Sequence, residues 1–304
     1  MEKDDFKIIH KSDDISNVLN SLHKPVLYSI VIIDNNSFDR LEKLLDWFSQ
    51  KSQNIPIYVL LENNKTKYIP SLVQAYSNIN FILSTKELNE GTKINGLAAI
   101  CFSKYFLLLS TDTNLINFEG ELLSKFLRDQ NKVAFVCPHL INKVDEVMPT
   151  IRKPDFNRKQ FEIKQEMNQD FTQINLYPVF GYAFYNLEIF NALHGFDEKI
   201  KSFDWQTLDF GLRAWLFGYT GYSSPLISYK LPSFLELVES RNHDADYKRC
   251  LSRVLGIRQH RGRNIMHWNR GLINLQKHLV KPFLSEYQVD YPSLIKIFEG
   301  ENKI

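Results

Sequence analysis

The sequence contains very little cysteine, with only Cys101, Cys137 and Cys250 among its 304 residues. Three widely separated thiols exclude a disulfide-stapled scaffold, and their spacing matches no zinc or redox motif. Reduced thiols in a cytosolic protein are the simplest interpretation, so we expect a cytoplasmic localisation.

Long apolar runs are also missing. The longest, Val26 to Ile33, is far shorter than the roughly 18 residues that a membrane helix needs. The first residues, MEKDDFKIIHKSDD, are charged and lack the apolar centre of a signal peptide, so we expect no export. With 44% hydrophobic and 24% charged residues, the composition is that of an ordinary globular protein, as one large domain or two joined halves.

Charge is nearly balanced at +2, but basic residues are concentrated near the C-terminus. Between Arg241 and His278 there are nine Lys or Arg residues against Asp244 and Asp246. Such a segment can meet phosphates, anionic lipid or nucleic acid, and a solvated helix face is the equally weighted alternative. The near-neutral net charge of the whole chain, and the lack of a recognisable nucleic-acid-binding module, argue against binding of nucleic acid. Peripheral contact with the inner face of the membrane, or with a subunit, through residues 241–278 stays open.

Strand-like and helix-like segments alternate over the first 115 residues. This alternation predicts a parallel sheet with helices on both faces, and ligands bind beyond the carboxyl ends of such strands. Three of the strand-like runs end in polar residues, namely Asp34-Asn35-Asn36, Glu62-Asn63-Asn64 and Ser110-Thr111-Asp112. We therefore expect a polar site at that edge of the sheet.

The second half is less regular. Residues 144–175 are polar and poorly periodic, which predicts a mobile loop over the site. TLDFGLRAWLFGY predicts a helix, and the chain after Pro232 has apolar residues at helical spacing to its end. Residues 1–24 are predicted to be a polar extension with one short helix.

Glycine-rich phosphate loops are absent from the sequence. Gly91 and Gly96 have the spacing of a P-loop, but Leu97-Ala98 follow where lysine and a hydroxyl residue are required. There is no GxGxxG motif either. A bound nucleotide must therefore be held by other groups.

An ordered series of short motifs spans residues 25–230. The series comprises Ile33-Asp34-Asn35-Asn36, Leu61-Glu62-Asn63, Asn89-Glu90-Gly91, Asn95-Gly96, Leu107-Leu108-Leu109-Ser110-Thr111-Asp112-Thr113, Gly181, His194-Gly195-Phe196-Asp197-Glu198, Asp209 with Leu212-Arg213, and Gly218-Tyr219. In this order it resembles glycosyltransferase family 2, especially its rhamnosyl- and galactofuranosyl-transferase-like members.

The resemblance implies an α/β protein of the GT-A fold, with a Rossmann-like, mostly parallel sheet, flanking helices and a C-terminal helical extension. The implied divisions are an N-terminal extension (1–24), a GT-A domain (25–230) and a C-terminal helical region (231–304). Within the domain, residues 25–115 would form the nucleotide-binding half and residues 116–230 the acceptor half.

The same resemblance implies the site residues. On the donor side they are Asp34, Asn35, Glu62, Asn63, Asn89, Gly91, Asn95, Thr111 and Asp112, and on the acceptor side Gly181, Asp197, Trp205 and Gln206. Asp112 is the retained acid of the metal motif. Its carboxylate would bind a divalent metal, Mn²⁺ or Mg²⁺, which neutralises the leaving diphosphate.

The sequence departs from the family at the chemically important positions. The acidic pair that contains the general base falls on Gln206 and Thr207, neither of which accepts a proton near neutral pH. Asp204 is the first substitute and Asp209 the second. At the metal motif, Ser110 replaces the first acid.

A further departure concerns the histidine that completes the metal site in many members, because Ile227-Ser228-Tyr229-Lys230 occupy its place. His243, His260 and His267 are alternatives, although a lone histidine is more often an ordinary surface residue.

The sequence thus predicts an inverting glycosyltransferase. It would move a sugar from a UDP- or dTDP-linked donor to a hydroxyl of a glycan, glycolipid or protein-linked acceptor. The altered residues at Gln206 and Ser110 support a second hypothesis, a pseudo-glycosyltransferase that acts as a binding or regulatory subunit.

Overall fold

A computed structural model describes residues 5–10, 26–34, 38–51, 55–130, 132–157, 160–231, 245–266 and 277–300. The strands are β1 (Phe6–His10), β2 (Val26–Ile33), β3 (Ile57–Leu61), β4 (Asn80–Ser84), β5 (Ser103–Ser110), β6 (Asn114–Phe118), β7 (Val133–Ile141), β8 (Ile151–Asn157), β9 (Gln160–Glu166), β10 (Gln173–Ile174), β11 (Phe184–Asn186), β12 (Thr220–Lys230), β13 (Ile257–His260) and β14 (Arg263–Met266). The α-helices are α1 (Phe38–Lys51), α2 (Ile69–Ala75), α3 (Glu90–Ile100), α4 (Gly120–Asp129), α5 (Leu187–Ala192), α6 (Phe203–Leu216), α7 (Ala245–Leu255), α8 (Lys277–Val280) and α9 (Tyr291–Phe298). Short 3₁₀ helices cover Asn63–Tyr68, Val179–Gly181 and Lys281–Phe283.

A 10-stranded sheet forms the centre, in the order β1-β4-β3-β2-β5-β11-β7-β12-β10, with β6 paired to β12. Strands β2, β3, β4 and β5 are parallel neighbours, and β7 pairs in parallel with β12. Strand β11 is antiparallel to both β5 and β7, so these two groups run in the same direction. The sheet is therefore mostly parallel, and the carboxyl ends of its main strands lie along one edge.

Alternate residues of the central strands face opposite layers, as the two-residue period of a strand requires. Ile30 and Ile32 of β2 pack in the layer that contains α1, α2 and α4. Val31 and Ile33 pack in the opposite layer, with α3, α5 and α6. Both faces of the sheet are thus covered, which explains the continuous apolar run of β2.

The structure corrects the mobile loop predicted for residues 144–175. Ile151–Asn157 and Gln160–Glu166 form an antiparallel hairpin, and Gln173–Ile174 pairs with β12 at the sheet edge. Both strands carry polar and charged side chains, which weakened the sequence pattern. Two salt bridges link the hairpin strands, from Lys153 to Glu166 at 2.6 Å and from Lys164 to Asp155 at 2.8 Å.

The predicted ends of the chain also need correction. Phe6–His10 is a strand that pairs antiparallel with β4, so this part of the predicted polar extension belongs to the central sheet. Apart from residues 5–10, the segment in which a short helix was predicted lies outside the described residues. Ile265 lies in a β-hairpin, because Arg261 and Gly262 take positive φ values of 49° and 72° that turn the chain back. The predicted helical positions Trp268, Leu272 and Leu275 lie outside the described residues.

Helices α7 and α9 pack on α6 and form a third apolar cluster. Leu251 and Val254 of α7 are buried there, as is Leu294 of α9. The rings of Trp215 and Phe298 meet edge to face, with their centroids 4.8 Å apart. The C-terminal part therefore braces the helix that carries Asp204, Gln206 and Asp209.

Among the described residues, no helix combines the length and hydropathy needed to cross a bilayer. Cys101, Cys137 and Cys250 are free thiols and all three are buried.

Candidate active site

Polar residues follow the carboxyl ends of β2 and β5. Asp34 is completely buried, and the Thr111 hydroxyl donates to its Oδ1 at 3.5 Å. The backbone N–H of Thr111 donates to the Ile33 carbonyl at 3.1 Å, so the ladder between the two strands continues to the edge. Sheet register therefore brings Asp34 and Thr111 together, although 77 residues separate them in sequence.

Asp112 lies two residues after the end of β5 and forms an ion pair with Arg40, with 2.7 Å between Arg40 Nη1 and Asp112 Oδ1. The side chains are 38% and 50% exposed, respectively. An exposed ion pair of this kind contributes only about 0–1 kcal/mol, so little is lost when either partner turns to a ligand. Arg40 belongs to the first turn of α1.

Tyr182 and Ser110 line the same edge, with 2.8 Å between their hydroxyl oxygens. Burial raises the pKa of Tyr182 to about 12, partly offset by the bond to Ser110 and reinforced by the carboxylates of Asp112 and Glu90. Tyr182 is therefore a neutral hydroxyl at physiological pH, close to carboxylates from two different elements.

Lys93 links the end of β3 to the start of α3. Its ammonium donates to Glu62 and to Glu90, both at 2.9 Å, and its side chain is only 7% exposed. Burial lowers the pKa of Lys93, but the two carboxylates outweigh burial and raise it. Lys93 thus stays charged and fixes Glu62 beside the ends of the parallel strands. Asn35, and the side chain of Asn63, lie outside the described residues.

Asn89 is the N-cap of helix α3, and its side chain accepts a hydrogen bond from the Thr92 N–H at 2.9 Å. Gln206 belongs to α6, and its side chain is hydrogen-bonded to the N-terminal end of α3. Its Oε1 accepts from the Gly91 N–H at 3.1 Å, and its Nε2 donates to Asn89 Oδ1 at 3.1 Å. The same Nε2 also donates to the carbonyls of Asp197 and Ile200, at 3.3 and 2.9 Å.

Gln206 is completely buried and both ends of its amide are bonded. A Cβ at position 91 would lie 2.5 Å from its Oε1, so glycine is needed for this close approach. Gln206 is therefore a structural amide that joins α6 to α3.

Asn95 does not point toward the strand ends. It accepts from the Phe196 N–H and donates to the Phe196 carbonyl, at 2.9 Å in each case. These two bonds hold the segment that contains Asp197 against α3. Asn95, predicted to bind the donor, thus positions the segment expected on the acceptor side.

Asp209 and Asp197 are held by arginines. Asp209 is 1% exposed and accepts from Arg213 at 2.7 Å and from Arg253 at 2.5 Å. Asp197 accepts from Arg253 and Arg249, at 2.5 Å each. Arg249 and Arg253 belong to the basic C-terminal segment, so two of its charges are used inside the protein. Both carboxylate oxygens of Asp209 are therefore engaged by buried arginines.

The acidity of Asp197 reflects the same arginines. Burial alone would raise its pKa, but Arg249 and Arg253 outweigh burial and lower it from the ordinary 3.8 to about 2.

Asp197 is therefore expected to stabilise the fold above pH 4 and to lose this contribution as the pH falls toward 2. At about 1.4 kcal/mol per pKa unit, the drop in pKa from 3.8 to about 2 corresponds to a full contribution of roughly 2.5 kcal/mol. Denaturant unfolding of the wild type and of Asp197→Asn at pH 7 and pH 3 measures it. The difference in unfolding free energy between the two proteins should shrink at pH 3, and an unchanged difference would contradict the assignment.

The remaining predicted residues surround the start of α6. Gly181 has φ +72°, and a Cβ there would lie 2.6 Å from the Phe203 ring. Trp205 is buried and packs against Tyr247 of α7 at a centroid distance of 5.5 Å, away from the strand ends. Asp204 lies in the first turn of α6 and is half-buried, and its carbonyl accepts from the Thr207 hydroxyl.

Asp112 is the residue predicted to hold a divalent metal. No group of three His, Cys, Asp or Glu side chains in the described part of the chain is arranged to hold a metal. A single exposed carboxylate still fits a cation such as Mg²⁺, because proteins commonly bind Mg²⁺ through one or two carboxylates together with the phosphates of the substrate. The residues therefore fit a metal carried jointly with a diphosphate, after Asp112 releases Arg40.

Arg40, Lys93, Glu90 and Tyr182 were not singled out from the sequence. Glu90 stands inside the recognised Asn89-Glu90-Gly91 motif, so the available signal was an acid in the first turn of a capped helix. Arg40 and Tyr182 carry no local pattern, because sheet order alone brings them to Asp112 and Ser110.

Comparisons with known proteins give a likeness in structure only. No family model matches the chain, and no curated protein sequence matches it. GalNAc-T7, solved with UDP, GalNAc and Mn²⁺, superposes with a TM-score of 0.60 at 12% identity, over 77% of this chain and 49% of that one.

S. aureus TarS superposes with a TM-score of 0.50 at 11% identity, over 75% of this chain and 38% of TarS. Its fragment 1–349 gives 0.51 at 12% identity, over 75% of this chain and 64% of the fragment. The chain thus spans less than two thirds of the length of each of these structures. Together with the sheet order, the superpositions show that this protein has the GT-A glycosyltransferase fold, a mixed α/β domain with a mostly parallel central sheet and flanking helices.

Proposed function

We propose that this protein is an inverting glycosyltransferase that uses a UDP- or dTDP-linked sugar. One observation carries the proposal: Asp34, Thr111, Asp112, Glu62 and Lys93 meet at the carboxyl edge of a GT-A sheet. Ligands of open α/β sheets bind at that edge. GalNAc-T7, which shares the fold, was solved with UDP, GalNAc and Mn²⁺.

In the proposed complex, the nucleoside lies over the ends of β2 and β3. Glu62 accepts hydrogen bonds from the base and ribose, and Lys93 holds the Glu62 carboxylate in position. Asp34, which is completely buried and bonded to Thr111, reaches the nucleoside only after the groups that cover it move apart. Asp112 would hold the divalent metal, which when bound neutralises charge on the diphosphate. Arg40, released from Asp112, adds a second positive group at the same place.

The proposed acceptor is a hydroxyl of a glycan, glycolipid or protein-linked group. Its oxygen attacks the anomeric carbon as the bond to the diphosphate breaks, and a carboxylate must take the hydroxyl proton. Asp209 and Asp197 are held by arginines, so Asp204 and Glu90 are the candidates for this role.

Asp112→Ala is expected to abolish turnover of the donor. The variant loses the carboxylate for the metal and the group that positions Arg40, so at least a 100-fold decrease in kcat/KM is expected. The measurement is UDP release from UDP-glucose, UDP-galactose and UDP-N-acetylgalactosamine in the presence of Mn²⁺.

The matched control is Asp129→Ala. Asp129 is also an exposed aspartate beside an arginine, Arg128, at 3.8 Å, but it lies at the far end of α4, just before β7 begins at Val133. The control should release UDP at the wild-type rate. Full activity in Asp112→Ala would rule out the assignment of Asp112.

A second function is favoured by Gln206. Because its amide is completely buried and bonded at both ends, the position of the family's acid is used for structure. A pseudo-glycosyltransferase, acting as a binding or regulatory subunit, would keep the fold while this position serves structure and not catalysis. Donor turnover separates the two functions, since a binding subunit can be stabilised by UDP-sugars in thermal-shift titrations yet releases no UDP.

A further inference from the structure

We propose that Glu90 is the general base of this site. The inference rests on the proposed function, because it assigns the proton acceptor in the same sugar transfer. It concerns a carboxylate on α3, whereas the sequence motifs directed attention to the acids of α6.

Glu90 is placed by a rigid local structure. The residues on either side of it, Asn89 and Gly91, are each hydrogen-bonded to the side chain of Gln206 at 3.1 Å. Asn89 also caps α3, so the backbone at position 90 is fixed from the sheet side and from α6. Glu90 is therefore the residue between the two positions that the Gln206 amide binds.

The Glu90 side chain faces the polar edge. Its Oε1 accepts from Lys93, which also holds Glu62 at the end of β3. On the other side, the Glu90 charge contributes to the raised pKa of Tyr182, and the Tyr182 hydroxyl lies 2.8 Å from Ser110. Glu90 thus lies between the proposed nucleoside site and the residues that flank Asp112.

Accessibility distinguishes Glu90 from Asp34 and Asp209. Its side chain is 37% exposed, whereas Asp34 is completely buried and Asp209 is 1% exposed. Within the described part of the chain, the hydrogen bond to the Glu90 carboxylate is made through Oε1, by Lys93. An acceptor hydroxyl can reach the partly exposed Glu90 carboxylate, whereas both carboxylate oxygens of Asp209 are held by buried arginines.

The proposed step balances as a single displacement. The acceptor oxygen forms a bond to the anomeric carbon, and the bond between that carbon and the diphosphate oxygen breaks. The electron pair leaves with the nucleoside diphosphate. The acceptor proton moves to the Glu90 carboxylate and is later returned to water.

The test compares Glu90→Gln with Asp204→Asn in the full chain. Binding of UDP is measured by calorimetry, and turnover by UDP release from the three UDP-sugars named above, with water as the acceptor. We expect Glu90→Gln to lower kcat by at least 100-fold and to change the UDP dissociation constant less than threefold, because loss of a general base typically costs about 10²–10⁴ in rate. Asp204→Asn should keep at least a third of the wild-type kcat.

Three further measurements separate catalysis from structure. The wild-type kcat should fall at acid pH as the base becomes protonated, and this limb should be missing in Glu90→Gln. Glu90→Asp should regain part of the lost rate. Glu87→Gln, three residues earlier and exposed, is the matched control and should behave as the wild type.

The outcomes separate this inference from the proposed function. If Glu90→Gln keeps its kcat while Asp204→Asn loses it, Glu90 is not the base and the glycosyltransferase proposal stands. A wild type that binds UDP but releases none from any donor would overturn the assignment of Glu90 and favour a binding subunit. A wild type that binds neither UDP nor dTDP would overturn both proposals.

Discussion

Replacing Arg253 with methionine should lower the free energy of unfolding by about 3–5 kcal/mol, the usual effect of removing one partner from a buried ion pair. Arg253 is buried and donates to Asp209 and Asp197. Its loss leaves two carboxylates with one arginine fewer each, in a site where water has little access. Methionine fills most of the volume, so the effect reports on charge more than on packing.

The measurement is urea unfolding followed by circular dichroism. Lys248→Met, on the same helix but exposed, is the control and should change the unfolding free energy by less than about 0.5 kcal/mol. A loss below 1 kcal/mol in Arg253→Met would show that the arginine network does not anchor α7 to α6.

Exchanging Gln206 for glutamate should destabilise the protein by roughly 3 kcal/mol and should not raise turnover. The Gly91 N–H can still donate to one carboxylate oxygen. The other oxygen would face the acceptors that Nε2 now serves, namely Asn89 Oδ1 and the carbonyls of Asp197 and Ile200. This second oxygen would be buried without a hydrogen-bond donor, so the variant loses the full desolvation free energy of an unsatisfied group. The loss is larger when the carboxylate is charged.

The Gln206→Glu variant is compared with Gln74→Glu, an exposed position on α2. Destabilisation should be larger at pH 8 than at pH 4, because protonation of the buried carboxyl relieves the repulsion. An active and stable Gln206→Glu enzyme would contradict the structural role of this amide, and it would show that position 206 still faces the acceptor.

The parallel half of the fold could be predicted from sequence because its signals are local. Strands such as Val26–Ile33 are continuous apolar runs, and α1 places Leu41, Leu45 and Phe48 on one face. The GT-A class followed from the order of motifs, and the structural superpositions confirm it.

The hairpin of β8 and β9 was missed because its strands are polar on their exposed side. Residues Lys153, Asp155, Lys164 and Glu166 pair across it, and such charge pairs suggest a loop when they are viewed in sequence alone. The turn at Arg261-Gly262 interrupted an apolar spacing that otherwise fits a helix.

At the site, sequence identified the strand-end residues but not their partners. Asp34 and Asp112 follow buried strands, which is a local pattern. The contacts of Asp112 with Arg40, and of Asp209 with Arg253, join residues 72 and 44 positions apart. Only the sheet order and the packing of α7 on α6 bring them together, so no spacing rule reveals them.

The most direct test of a nucleotide-sugar site is a calorimetric titration of UDP into the wild type and into Glu62→Gln. Glu62 is 31% exposed at the end of β3, so the variant should remain folded. The exposed Glu121→Gln on α4 serves as the control. We predict saturable binding of one UDP per chain, weakened about tenfold or more in Glu62→Gln, which corresponds to roughly 1.4 kcal/mol, and unchanged in the control. Absence of binding of both UDP and dTDP to the wild type, or equal affinity in Glu62→Gln, would contradict the placement of the donor at this edge.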